Sequence, residues 1–237
     1  MDPVTIVTAT GGRPFAFSLC RKYVERQRYA GAIQWLVVDD GEPRVAGELE
    51  CARLDVTRVF PEPKWSPGQN TLARNLMAAI PKIKHDKVIF CEDDDWVHDG
   101  YCDAMSRALD SADIAGEVPA RYYHVPCRRY RVLANGAHAS LCQTGIRSSL
   151  LPLLWRICSD DRAEFIDVRL WREAKGKKNL FFGEHVLGIK GLPGRPGIGI
   201  GHRPQGLGQL ADPDFEVLRG FVGVNDSTAY EKGIWSR

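Results

Sequence analysis

The chain has 237 residues, of which 44% are apolar and 26% are charged, a composition typical of a globular protein with one α/β domain or slightly more. No apolar run approaches the roughly 18 residues that span a bilayer, and the N-terminus lacks the basic stretch of a secretory signal. Seven scattered cysteines without a Cys-x-x-Cys pair favour free thiols over a disulfide framework or zinc site. We therefore expect a cytoplasmic protein.

The first half of the chain is predicted to contain strands and helices in alternation. An alternating pattern rich in β-branched residues predicts a strand over 4–10, and Pro14 is well placed to begin the helix that follows. The further elements predicted are strands over 34–38, 55–60 and 88–91 and helices over 71–80 and 100–111. This order predicts an α/β fold with a mostly parallel, Rossmann-like central sheet flanked by helices in a single compact domain.

The second half is less regular. Its predicted elements are a turn at 145–147, helices over 150–158 and 166–174, strands near 181–182 and 186–189, and a glycine-rich loop over 191–201. Its charge also differs: residues 1–118 carry 14 Lys and Arg against 19 Asp and Glu, whereas residues 119–237 carry 18 against 11. A basic half can face an anionic partner, or its cations can simply balance an acidic site for solubility.

Four consecutive acids, Glu92 to Asp95, follow the apolar run that ends at Cys91. Adjacent carboxylates repel one another and cannot be buried uncompensated. The end of a buried parallel strand is also where open α/β sheets bind ligands. A divalent cation, Mg²⁺ or Mn²⁺, is the simplest partner for such an all-oxygen site. The alternative is an acidic surface turn without a ligand.

Other phosphate- and metal-binding patterns are absent or incomplete. Gly11-Gly12 follows the first strand, but neither G-x-G-x-x-G nor the P-loop pattern is present, which disfavours Rossmann dehydrogenases and P-loop NTPases. EF-hand spacing is broken at Trp96 and Val97. Asp39 and Asp40 end the second strand, where they can accept hydrogen bonds from a base or a ribose, or merely form a turn.

Two later residues are candidates for chemistry. Asp167 lies on a predicted helix among arginines, where it acts either as a base or as a surface ion-pair partner. His202 follows the glycine-rich loop, and its imidazole can either complete a metal site or form an ordinary loop hydrogen bond.

Taken together, these segments resemble the GT-A class of nucleotide-sugar glycosyltransferases, particularly family 2, over residues 4–203. The segments that carry the resemblance are Val37 to Gly41, Gly68 with Leu72 to Asn75, Glu92 to Asp95 as the DxD motif, Ala139 to Arg147, Ile166 to Arg172 as the xED segment, and His202. Two pairs of acids can form the DxD motif, Glu92/Asp94 or Asp93/Asp95, and the sequence leaves this register open. Ile166 stands where that family usually has Glu, which leaves Asp167 as the carboxylate there.

The resemblance implies a GT-A fold and a role for each candidate residue. Residues 1–118 would bind the donor and the metal, and residues 119–237 the acceptor. Asp167 would be the catalytic base, and Asp94, Asp95 and His202 would hold Mn²⁺ or Mg²⁺. The implied contacts to the nucleotide-sugar are Thr8, Thr10, Arg13, Asp39, Asp40, Arg74 and Asp93; among them, arginine matches phosphate geometry.

The predicted function is metal-dependent, inverting transfer of a hexose from a UDP-sugar or related donor to an acceptor hydroxyl. The acceptor is either a glycan or small molecule, or a hydroxymethylated base in DNA, which the basic stretches Arg128 to Arg131 and Lys175 to Lys178 could bind. Two alternatives are a sugar-1-phosphate nucleotidyltransferase, for which the glycine loop after the first strand is too short, and a non-catalytic nucleotide- or glycan-binding module.

Overall fold

A computed structural model describes residues 1–160, 165–197 and 209–235. The strands are β1 (Val4–Thr10), β2 (Ile33–Asp39), β3 (Asp55–Val59), β4 (Lys87–Phe90), β5 (Trp96–Val97), β6 (Ile114–Val118), β7 (Ala120–His124), β8 (Arg129–Leu133), β9 (Thr144–Arg147), β10 (Lys178–Phe182), β11 (Val186–Lys190) and β12 (Gln209–Ala211). The α-helices are α1 (Pro14–Glu25), α2 (Leu72–Ala79), α3 (Tyr101–Ala108), α4 (Leu151–Cys158), α5 (Ile166–Glu173), α6 (Glu216–Val222) and α7 (Val224–Trp235).

The central sheet has seven strands in the order β10-β6-β9-β4-β1-β2-β3. Every pairing is parallel except those of β9, which runs antiparallel to both β4 and β6. The predicted mostly parallel α/β sheet is therefore confirmed. Because β1 pairs with β2 on one side and β4 on the other, the chain reverses its strand order there. Ligands of open α/β sheets bind at such a switch point, beyond the carboxyl ends of the strands.

Helices cover both faces of this sheet, which explains why its inner strands read as continuous apolar runs. All residues of β2 and β4 are buried, and β1 has a single half-buried position. One core joins this sheet to α1 and α3, with side chains such as Tyr23 and Met105. The core on the opposite face packs α2, α4 and α5, with Leu76, Leu154 and Trp171.

A second sheet lies beyond the carboxyl edge of the first, in the order β12-β8-β7-β11-β5. Two of its strands continue directly from the central sheet: β7 follows β6, and β5 follows β4 after the acids Glu92 to Asp95. The acidic segment therefore connects the two sheets. Strands from both sides of residue 118 build the central sheet, so the division into a donor half and an acceptor half stays a functional prediction.

The predicted turn at 145–147 is wrong, because these residues belong to β9 in the middle of the central sheet. Gly145 suggested a turn, but its role is to let α3 approach the sheet. A Cβ at Gly145 would lie 2.8 Å from both Cγ and Sδ of Met105 and 3.1 Å from Cδ1 of Leu109. The glycine therefore marks close packing of a helix on a strand.

We expect Gly145→Ala to lower the free energy of unfolding by about 1–3 kcal/mol, because the added methyl group overpacks a buried helix contact. Urea unfolding monitored by circular dichroism measures this change. Gly136→Ala is the matched control, since a Cβ at Gly136 meets nothing within 4 Å. Equal stability of the two variants would contradict this account of Gly145.

The two basic stretches of the second half lie in different places. Lys175 to Lys178 lead into β10, which is parallel to β6, so they lie at the amino edge of the central sheet. Arg128 to Arg131 belong to the β7–β8 hairpin of the second sheet. Within the described ranges, no helix combines the length and apolar character needed to cross a bilayer.

Candidate active site

The candidate site lies where β1, β2 and β4 end, at the edge that faces the second sheet. Thr10 ends β1 and pairs with Asp39 at the end of β2. The acids Glu92 to Asp95 follow β4 directly, and three of them, Asp93, Asp94 and Asp95, are no more than 4% exposed. The structure thus buries the acidic segment, unlike the surface turn that was the alternative.

Thr10 and Arg13 hold one side of the acid cluster, which we define as Glu92 to Asp95. The Thr10 hydroxyl donates to Asp93 Oδ2 at 2.7 Å. The Arg13 guanidinium lies 3.1 Å from Asp93 Oδ1 and 3.0 Å from Asp94 Oδ2. Arg13 reaches the cluster because α1 begins immediately after it, at Pro14. Three of the predicted donor-site residues are therefore in direct contact.

Lys190, which the sequence analysis did not identify, holds the other side of the cluster. Its Nζ lies 2.9 Å from Asp95, 3.4 Å from Asp94 and 3.7 Å from Glu92, and its side chain is 4% exposed. The ammonium also lies 5.8 Å from the ring centroid of Tyr122. Although burial opposes the charge, Asp94 and Asp95 keep the pKa of Lys190 well above its usual value. The sequence did contain a signal for this residue, because Lys190 is a charged residue at the end of the apolar run of β11.

We expect Lys190→Met to lower the free energy of unfolding by about 3–5 kcal/mol, since it leaves buried carboxylates without their cation. Mn²⁺ should restore part of the loss by supplying positive charge. Urea unfolding with and without Mn²⁺ measures both effects. Lys82→Met, at an exposed position, is the control. Stability equal to that of the unchanged protein would show that Lys190 does not compensate these acids.

The acid cluster fits a divalent cation. Four carboxylates face two cations, the half-buried Arg13 and the buried Lys190, which leaves an excess of negative charge when all four are ionised. Asp95 Oδ2 is buried without a hydrogen-bond partner in the described part of the chain. Ligand atoms of Glu92, Asp95 and Cys142 lie within 4.8 Å of one another. Carboxylate oxygens are the donors that Mg²⁺ and Mn²⁺ prefer.

The protonation states of Cys142 and Asp95 indicate that a metal ion would bind the carboxylate oxygens and not the sulfur. Burial raises the pKa of the Cys142 thiol well above its usual value. The thiol therefore stays protonated, whereas a metal binds the thiolate. Burial also raises the pKa of Asp95 to about 6, against the opposing effect of Lys190. A bound cation would lower that pKa again, because it favours the ionised carboxylate.

Asp40 is the centre of a second polar group beside the cluster. Its carboxylate accepts hydrogen bonds from the Thr71 hydroxyl, from Arg74 at 2.8 Å and from Arg195 at 3.2 Å. Arg195 also donates to the Thr71 hydroxyl at 2.9 Å, and its guanidinium lies over the Trp65 ring. The structure thus brings the predicted residues Asp40 and Arg74 together. Arg195 was missed because it comes from a loop distant in sequence.

Asp39 and Thr8 have contacts of a structural kind. Both carboxylate oxygens of Asp39 accept backbone N–H groups, from Gly41 at 3.0 Å and Ala46 at 2.9 Å. These are the contacts of the turn-forming alternative. The Thr8 hydroxyl accepts a hydrogen bond from the Trp35 indole at 3.1 Å inside the core. His202 lies outside the described residues, so its role as a metal ligand stays a prediction.

Asp167 lies in the first turn of α5 and is connected to the acid cluster through a short 3₁₀ segment, Leu141–Gln143. Its carboxylate accepts a hydrogen bond from the backbone N–H of Val168 at 2.9 Å, and the backbone of Leu141 lies close enough to lower its pKa. The next residue, Cys142, has its Sγ within 4.8 Å of a carboxylate oxygen of Asp95. Burial raises the pKa of Asp167 above its usual value. A partly buried carboxylate with a raised pKa is suited to accept a proton.

Solved structures of S. aureus TarS are among those that share this architecture. TarS 1–349 in complex with UDP matches with a TM-score of 0.57 and 11% identity, over 79% of this chain and 60% of the TarS chain. The same TarS fragment in complex with UDP-GlcNAc matches with a TM-score of 0.55 and 12% identity, over 80% and 58% of the two chains. This chain has a GT-A fold. It spans less than two thirds of the TarS fragment.

The fold implied by the sequence resemblance is therefore confirmed. No protein-family model and no curated protein matches the sequence. At 11–12% identity the likeness to TarS shows the shared fold, and the chemistry of this chain has to be argued from its own residues.

Proposed function

We propose that the protein is a nucleotide-sugar glycosyltransferase that uses a divalent cation and a UDP-sugar donor. The observation that carries this proposal is the buried acid cluster with Arg13 and Lys190 at the switch point of a GT-A sheet. The carboxylates can hold a metal ion. The metal ion, together with Arg13 and Lys190, can then balance the negative charge of a diphosphate. The TarS structures with UDP and UDP-GlcNAc support this class of donor.

Each part of the site has a proposed role in donor binding. Asp94 and Asp95, with Glu92 beside them, would hold Mn²⁺ or Mg²⁺, which when bound stabilises the charge that develops on the leaving diphosphate. Arg13 would exchange part of its contact with Asp93 and Asp94 for a phosphate oxygen, since guanidinium matches phosphate geometry. Asp40, Arg74 and Arg195 would bind the nucleoside end of the donor beyond β2.

The proposed reaction is a single displacement with Asp167 as general base. The acceptor oxygen forms a bond to the anomeric carbon while its proton moves to the Asp167 carboxylate. The bond between the anomeric carbon and the diphosphate oxygen breaks, and the nucleoside diphosphate leaves with the electron pair. One displacement at the anomeric carbon inverts its configuration. The sugar is proposed to be a hexose.

Calorimetry with UDP and GDP, each with and without Mn²⁺, tests the donor proposal. We expect UDP to bind in the presence of Mn²⁺ and to bind much more weakly after chelation. Hydrolysis of UDP-glucose or UDP-GlcNAc, followed by UDP release, then separates an enzyme from a non-catalytic module. Failure of both nucleotides to bind in any condition would overturn the proposal. UDP binding without any hydrolysis or transfer would favour the binding module.

A further inference from the structure

One face of the second sheet continues outward from the acid cluster. Residues paired across neighbouring strands lie on the same face of a sheet. Lys190 pairs with His124, and His124 pairs with Arg129. The register therefore places a row of basic residues across three strands. This row begins at Lys190, which contacts the acid cluster, and ends at Arg129, which is exposed.

A second row on the same face is partly aromatic. Gly188 pairs with Tyr122, and Tyr122 pairs with Arg131. The Tyr122 ring lies against Gly188, where a Cβ would be 2.5 Å from a ring carbon. The glycine thus allows the Tyr122 ring to approach the neighbouring strand closely. Tyr122 is partly exposed, and its hydroxyl is fixed by Ser140 at 2.6 Å.

The arginines of this face differ from their neighbours in the same hairpin. Arg121 and Arg128 are used in the fold: Arg121 contacts Gly183 and Glu184, and Arg128 donates to the Pro213 carbonyl. Within the described part of the chain, the guanidinium groups of Arg129 and Arg131 form no ion pair with a carboxylate. Arginines that form no ion pair within the described residues, next to an aromatic ring, are characteristic of surfaces that bind single-stranded nucleic acid.

We propose that this face, formed by Tyr122, His124, Arg129 and Arg131, binds a single nucleic-acid strand that carries the acceptor hydroxyl. Arg129 and Arg131 would contact phosphates, and an unpaired base would stack on Tyr122. The stacked base lies beside Lys190 and the acid cluster, so a hydroxyl borne by the base can reach the donor. This inference rests on the proposed glycosyltransferase function and specifies its acceptor.

A duplex would need an additional step on this surface. The bases of a duplex are already paired and stacked on one another, so a base can stack on the Tyr122 ring only after leaving the duplex. Extrusion of a paired base costs unstacking and unpairing energy, which a single strand avoids. We therefore expect a single strand to bind more tightly than the same sequence in a duplex.

Fluorescence anisotropy with a labelled oligodeoxythymidine of about 12 nucleotides tests the proposal. The affinity should fall as salt rises from about 50 to 200 mM. Arg129→Gln and Arg131→Gln should each weaken binding and reduce the slope of log affinity against log salt by about 0.7. Tyr122→Leu should weaken binding roughly tenfold at fixed salt without changing that slope.

Lys175→Gln is the matched control, because it removes an exposed positive charge at the opposite edge of the central sheet. Equal losses in Lys175→Gln and Arg129→Gln would show diffuse attraction and overturn the proposed face. No binding at the lowest salt would also overturn it. If inorganic polyphosphate competes as well as the oligonucleotide and Tyr122→Leu has no effect, the partner is a polyanion without bases, and the nucleic-acid proposal is wrong.

UDP titration with Mn²⁺ on the same variants separates the two proposals. Arg129→Gln and Arg131→Gln should bind UDP as the unchanged protein does. If the unchanged protein binds UDP but not the oligonucleotide, only the proposal about the acceptor is refuted. If the unchanged protein does not bind UDP, the donor function on which the acceptor proposal depends is refuted.

Discussion

Asp94→Asn should lower the affinity for UDP in the presence of Mn²⁺ by at least roughly 100-fold, because loss of even an indirect metal contact commonly costs 10- to 100-fold. Asp94 is 4% exposed and lies between Arg13 and Lys190, so its carboxylate faces both cations of the site. Asparagine keeps the shape of the side chain but removes the charge. Isothermal titration with UDP, with and without Mn²⁺, measures the effect.

The variant should remain folded, since Arg13 keeps its contact with Asp93 and Lys190 keeps its contact with Asp95. A thermal midpoint close to that of the unchanged protein in the absence of metal would verify this. Asp103→Asn is a suitable control, because Asp103 lies on α3 and pairs with Arg107. Unchanged Mn²⁺-dependent UDP binding in Asp94→Asn would refute its role as a metal ligand.

The same titration on the other members of the cluster decides the acidic register that the sequence left open. Asp93 is held by Thr10 and Arg13, so its carboxylate is already bound within the protein. Glu92 and Asp95 lie together beside Cys142. If Glu92→Gln resembles Asp94→Asn, the Glu92/Asp94 pair holds the cation. If Asp93→Asn and Asp95→Asn have the large effects, the alternative pair does.

The central strands could be predicted because their physical environment is simple. β1, β2 and β4 are buried between two helical layers, so their sequences are nearly continuous apolar runs. The acids at the ends of these strands were equally informative, because adjacent carboxylates that follow a buried strand need a compensating positive charge. The resemblance to GT-A glycosyltransferases placed Thr10, Arg13, Asp93 and Asp94 in one site, and they are in contact.

Strand β6 was missed because a buried polar group disguises it. β6 contains Glu117, which is fully buried. Its carboxylate accepts hydrogen bonds from the backbone of His185 and Val186 and contacts His185 Nδ1 at 2.7 Å. A sequence pattern shows the acid but not its partners, which lie 68 and 69 residues away. Hydrophobic periodicity alone therefore treats such a strand as a loop.

Lys190 and Arg195 were missed for a related reason. Each forms ion pairs with acids that lie about 95 or more residues earlier in the chain. Only the three-dimensional fold brings β11 and the loop after it to the ends of β2 and β4. The sequence could therefore identify the acids that need a compensating charge, but it assigned Arg13 and Arg74 to the donor phosphates and not to these acids. The metal was predicted as the main compensating charge, whereas the structure adds two protein cations.

Asp167→Asn should lower the turnover number for donor hydrolysis or transfer by about 10²- to 10⁴-fold while leaving UDP affinity unchanged. The Asn side-chain oxygen can still accept the hydrogen bond from Val168, so the local structure should survive. Only the capacity to accept a proton is lost. Steady-state kinetics with UDP binding measured in parallel separate these two effects.

The pH dependence distinguishes a catalytic base at Asp167 from a structural carboxylate. Burial raises the pKa of Asp167 above 3.8, so turnover should fall as the pH decreases through that raised pKa, because the protonated carboxyl cannot accept the acceptor proton. The residual turnover of Asp167→Asn should lack this decline. A turnover number unchanged by the substitution would refute the general-base role. A parallel loss of turnover and thermal stability would instead assign Asp167 to the fold, where its contact with Leu141 supports the segment next to the acid cluster.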